Sequence, residues 1–162
     1  MMQQALFWSG PPGLGVQQVV EPGSYWRRVI NAPLIEGRDQ PGGRVAFPNA
    51  QTPAVLLEVV LEWVRATEFP TLPSRATCHF AWEREDWARD YHAGLTGAML
   101  YEIQPSGSPR LFRADYNLGN AFRERDTLLR AVERARRYWR GELEGRPEIL
   151  IQGPIAIIRA IT

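Results

Sequence analysis

The sequence predicts an α+β domain with a β-rich end. Strand-like and helix-like stretches follow each other irregularly, where a doubly wound sheet would alternate them strictly. The chain ends in two apolar arms, residues 147–152 and 155–161, around Gly153-Pro154. Residues 54–65 form an apolar helical stretch introduced by Thr52-Pro53, an N-cap followed by proline in the first turn.

At 162 residues the chain is expected to form one domain, residues 1–162, large enough to bury a core. Net charge is +1, which gives no argument for broad binding to nucleic acid. All 19 basic residues are arginine, which suits forked recognition of phosphate and carboxylate. The single cysteine, Cys78, excludes an intramolecular disulfide, and two histidines make a structural metal site unexpected. The first residues lack a basic region followed by an apolar run, and no apolar run reaches membrane-spanning length. A cytoplasmic location without membrane attachment is therefore expected.

In chain order, residues 5–8 read as a first strand running into the turn Ser9-Gly10-Pro11-Pro12-Gly13. Residues 16–20 read as a strand or short helix. Residues 31–52 are rich in proline and glycine and read as a long loop, with a small strand at 44–47. The helix at 54–65 is apolar on most faces and is expected to be central and well buried, with Glu58, Glu62 and Arg65 as its one polar stripe. Pro70 and Pro73 stop it. Residues 77–82 alternate like a strand, and Glu83, Glu85 and Asp86 favour a helix start after it. That helix runs to about His92 before Gly94. Residues 98–103 and 110–115 read as strands. Asn120 is the expected cap of a last helix, 121–140, with Leu128, Val132, Ala135 and Trp139 on its apolar face.

Chemistry-bearing residues are few. Ser74-Arg75, just before a strand and a helix start, suit an anion or nucleotide, although a solvated loop explains the pair as well. Glu148 opens an otherwise apolar strand, so its charge must meet solvent, a cleft or a partner. The segment 10–15 is glycine-rich, but Pro11 and Pro12 remove N–H donors a phosphate cradle needs. His79 and Cys78 read as packed residues rather than base and nucleophile.

Three stretches, taken in order, resemble the ADP-ribosyltransferase superfamily. Leu6-Phe7-Trp8-Ser9-Gly10 resembles its first core strand. Thr77-Cys78-His79-Phe80-Ala81, with Trp87, Ala88 and Tyr91 on the following helix, resembles its second motif. Glu148 and the strand it opens resemble the third, where the catalytic glutamate begins a strand. The run from Glu58 through Phe69, Pro73-Ser74-Arg75 and Phe80 to Tyr101-Glu102 also looks like an uncharacterised bacterial family in that superfamily. The resemblance implies an ADP-ribosyltransferase-like fold, a split antiparallel β core with flanking helices, and NAD as substrate, bound in the cleft between. Glu148 would be catalytic, bonding the nicotinamide ribose and stabilising the cation formed as nicotinamide leaves. Trp8, Ser9, Gly10, Ser74 and Phe80 would line the cleft, with Gly10 backbone on the nicotinamide amide and Phe80 on its ring. Arg27 and Arg75 would take the pyrophosphate. Trp8 or Ser9 stands where the superfamily has His or Arg, so Arg27 or Arg75 must substitute or the NAD site has degenerated.

The expected function is thus an ADP-ribosyltransferase or NAD glycohydrolase. Its acceptor is protein, nucleic acid, a small molecule or water. It would suit an intracellular toxin or phage–host conflict protein, with an antitoxin or immunity protein as partner. The alternative is a non-catalytic binding module on the same scaffold. A nucleic-acid surface built on Arg134, Arg136, Arg137 and Arg140 is disfavoured by the interleaved Glu133.

Overall fold

The computed structural model describes residues 4–23, 39–40, 44–45, 52–119 and 127–161. In chain order the elements are β1 (Leu6–Gly10), β2 (Val19–Val20), β3 (Asp39–Gln40), β4 (Arg44–Val45) and helix α1 (Thr52–Glu68). A 3-10 turn (Arg75–Thr77), β5 (His79–Trp82), α2 (Glu85–His92), β6 (Met99–Pro105) and β7 (Arg110–Asp115) follow. A one-turn helix α3 (Tyr116–Gly119), α4 (Leu128–Trp139), β8 (Pro147–Gln152) and β9 (Ile155–Ile161) complete the order.

Seven strands make one sheet in the order β2-β9-β6-β1-β5-β8-β7, and every pairing in it is antiparallel. The strands expected near Leu6, Tyr101, Ile149 and Ile157 all belong to it. The one expected at Thr77 starts two residues later, because Arg75–Thr77 closes a 3-10 turn capped by the Ser74 side chain. Among the described residues, β3 and β4 pair with each other.

Strand alternation gives the sheet two faces. Phe7, Trp82 and Glu148 share a cross-strand row, as do Phe80 and Leu150 beside them. α1 and α4 pack over Leu150, Ala114, Phe80 and Phe112 on this face, and α2 packs over Phe7 and Trp82. The opposite face buries Leu6, Ala81, Tyr101, Ile103, Ile149 and Ile157, with Trp8, Leu14 and Val20 against them.

Two helices differ from expectation. α1 buries Leu57, Val60, Leu61 and Val64, but Leu56, Val59 and Trp63 stay 45%, 42% and 55% exposed. Its polar stripe takes part of the inner surface instead. Glu58 is buried, while Glu62 pairs with Arg65 and accepts from Ser74. α4 begins at Leu128 with Thr127 as its cap. The expected Asn120 cap lies outside the described residues. Its buried face is Ala131, Ala135, Tyr138 and Trp139, while Leu128 is exposed. Trp139 Nε1 donates to the Leu61 carbonyl at 2.7 Å, joining α4 to α1.

Asp115 fixes the turn out of β7. It is fully buried, and Oδ1 accepts from the Asn117 and Leu118 amides. Oδ2 accepts from the Glu144 and Gly145 amides, so one carboxylate ties the α3 turn to the loop before β8. Asp115→Asn keeps one acceptor oxygen and aims an NH2 group at two N–H donors. It is expected to cost about 1–3 kcal/mol in urea unfolding; an unchanged midpoint refutes that role.

Candidate functional site

The helix-covered face of the sheet holds a buried ionic cluster built by four elements. Its centre is Arg75, delivered by the 3-10 turn that Pro73 and the Ser74 cap set up. Arg75 Nε and Nη2 donate to Oε2 and Oε1 of Glu58 at 2.8 and 2.7 Å, a forked contact with α1. Nη1 donates to Glu148 Oε1 on β8 at 2.7 Å and to the Tyr138 hydroxyl on α4. Tyr138 donates to the same Glu148 oxygen at 2.7 Å. The guanidinium also lies over the rings of Phe80 (4.7 Å) and Tyr138 (5.2 Å).

Arg75, Glu58 and Glu148 are 6%, 6% and 4% exposed, so the charges sit out of water. Two carboxylates face one guanidinium. Burial works to lower the Arg75 pKa, but Glu58, Tyr138 and Glu148 outweigh it and hold the group charged, well above arginine's usual range. Burial pushes the Tyr138 hydroxyl well above the ordinary tyrosine value, with Arg75 opposing and Glu148 adding to the rise. It therefore remains a donor. The nearby Cys78 thiol is pushed up to about 12, chiefly by burial, and is no thiolate nucleophile at neutral pH.

One asymmetry has chemical meaning. Glu148 Oε1 accepts from both Arg75 and Tyr138, whereas Oε2 takes no hydrogen bond from the described residues. Among the described residues, the carboxylate is anchored by one oxygen while its other acceptor has no donor.

The structure divides the residues expected to line one cleft. Glu148, Phe80 and Ser9 point to the same face, because β1, β5 and β8 are consecutive neighbours in the sheet. Ser9 Oγ lies 3.1 Å from His92 Nδ1 at the end of α2. Trp8 alternates to the opposite face, which corrects its assignment to the Glu148 pocket, while Gly10 ends β1 opposite Met99 of β6. Trp8 there meets His79 edge-on at 5.2 Å and Tyr101 at 6.1 Å. A Cβ at Gly10 would lie 2.2 Å from the Trp8 ring, so this glycine makes room for an indole of its own strand. Ser74 caps the 3-10 turn and donates to Glu62. Arg75 is committed to Glu58, Glu148 and Tyr138, which corrects its assignment to pyrophosphate. Its guanidinium covers Phe80, where a nicotinamide ring was expected. Arg27 lies outside the described residues. Glu148 is a buried acceptor of two charge-assisted bonds, so it contributes to stability as well.

Sequence reasoning missed Tyr138 and the inward role of Glu58. Tyr138 lies three and seven residues after Ala135 and Ala131, on one helix face. A tyrosine placed there requires a hydroxyl partner in the interior.

A family model described as "Protein of unknown function (DUF2441)" matches residues 34–162. The chain belongs to that family. All four members of the ionic cluster fall within the DUF2441 match, while β1 with Trp8, Ser9 and Gly10 precedes it. No curated protein matches the chain. No helix among the described residues is long and apolar enough to cross a membrane.

Proposed function

We propose that the protein is an NAD-consuming enzyme on an ADP-ribosyltransferase-like scaffold, with Glu148 as its catalytic carboxylate. What supports this reading best is Glu148 itself: a carboxylate fixed at Oε1 and, among the described residues, without a donor at Oε2. The adjacency of β1, β5 and β8 adds support, since these strands carry the three resembling stretches.

In the proposed reaction the bond between ribose C1′ and the nicotinamide nitrogen breaks. The electron pair leaves with nicotinamide, neutralising its pyridinium charge. Positive charge then develops on the ribose, opposite the preorganised Glu148 carboxylate. Oε2 accepts a ribose hydroxyl. Water or another nucleophile adds at C1′ and loses its proton, completing hydrolysis or transfer.

The test is incubation with NAD and chromatographic measurement of free nicotinamide. Glu148→Gln is expected to lower turnover by at least about 10²-fold with little change in NAD affinity. That variant also loses a charged acceptor and about 1–3 kcal/mol of stability, so it is assayed below its own melting transition. Glu102→Gln, which removes a surface pair with Arg159, should leave activity within a few fold. Full activity in Glu148→Gln would overturn the reading.

A second reading, a non-catalytic module on the same scaffold, is favoured by β1. Its side chains include no His or Arg, and Trp8 faces away from Glu148. NAD binding without nicotinamide release by the unmutated chain selects it.

A further inference from the structure

We infer that Tyr138 is the positioning residue of Glu148: its hydroxyl proton anchors Oε1 and so leaves Oε2 as the oxygen that serves the ligand. The chemical consequence rests on the NAD-cleavage reading; the positioning itself rests on geometry. The direction of each hydrogen bond is fixed by valence. A guanidinium has no acceptor and a carboxylate no proton, so the Tyr138 oxygen accepts from Arg75 and its O–H donates to Glu148.

The hydroxyl cannot swing elsewhere. Tyr138 is fully buried in the last turn of α4, its ring edge-on to Trp139 at 4.9 Å and to Phe112 at 6.3 Å. Arg75 bonds Glu148 as well, but its Nε and Nη2 are turned toward Glu58. Tyr138 is therefore the neutral second donor that fixes the carboxylate's rotation without adding charge.

Arg75 comes from the 3-10 turn, Glu58 from α1 and Tyr138 from α4. β5 and β7 oppose Glu148 with Trp82 and Ala114, and α3 approaches it through Gly119.

The experiment is Tyr138→Phe, which keeps the ring and deletes the proton. Carbon-13 NMR of glutamate-labelled chain follows the Glu148 carboxyl, identified by its absence in Glu148→Gln. Its resonance at pH 7 is expected to move when the Tyr138 proton is removed, while the carboxyl resonance of Glu102, away from the cluster, holds. kcat for nicotinamide release should fall while KM for NAD holds. Should Tyr138→Phe fail to fold, 3,5-difluorotyrosine at position 138, a stronger donor, must move the resonance in the opposite direction. An unmoved Glu148 resonance in a folded variant overturns the proposal. If the unmutated chain releases no nicotinamide, the NAD reading fails while the carboxyl resonance still decides the role of Tyr138.

Discussion

Arg75→Met is expected to cost about 3–5 kcal/mol, the largest loss from any single change in the ionic cluster. Methionine fills much of the arginine stem's volume, so packing on Phe80 and Tyr138 is largely kept. What disappears is, among the described residues, the only cation between Glu58 and Glu148, each less than 10% exposed. Two buried carboxylates then face each other with no compensating charge, and desolvation dominates. Urea unfolding by circular dichroism measures the loss. Adding Glu58→Gln and Glu148→Gln to Arg75→Met removes the stranded charges and should recover a substantial part of it. A loss below about 1 kcal/mol for Arg75→Met would mean that water reaches the cluster.

Acidification should destabilise the protein through His79, by about 3 kcal/mol between pH 6.5 and 4. His79 is 3% exposed, edge-on to Trp8, and its Nε2 is buried without a hydrogen-bond partner. Burial lowers its pKa from 6.5 to about 4, against a smaller opposing hydrogen bond with the Val20 backbone. The sign follows from proton counting. Between those values the unfolded chain binds a proton that the folded chain refuses, so stability rises with pH across the window. The contribution is fully present above about pH 6.5 and is lost as pH falls toward about 4. Urea midpoints at pH 7, 5.5 and 4 measure the slope. His79→Phe should flatten it, whatever constant cost the larger ring adds. A slope unchanged by that substitution would place the acid sensitivity elsewhere.

Both predictions concern residues whose partners are distant in sequence. Arg75 is 17 residues from Glu58 and 73 from Glu148. Composition and local pattern place Arg75 before a strand and Glu148 at the start of another, and there they stop. A charged strand residue and a charged turn residue are each compatible with solvent. Only the pairing of β5 with β8, and the seating of α1 and α4 over them, turns both charges inward.

The sequence by itself determined the α+β class, the strand near Leu6, the β-rich end and the two helices after Thr52 and Glu83. Those features depend on local propensity, proline and glycine positions, and periods of two or 3.6 residues. It did not determine which face of α1 is buried, because apolar residues lie all around it and only neighbours choose. Nor did it say which of Trp8 and Ser9 shares a face with Glu148, since a single strand carries no label for the side on which its helices will pack. The tertiary structure decided those matters. Antiparallel register fixes which side chains share a face, and helix packing fixes which face loses its water.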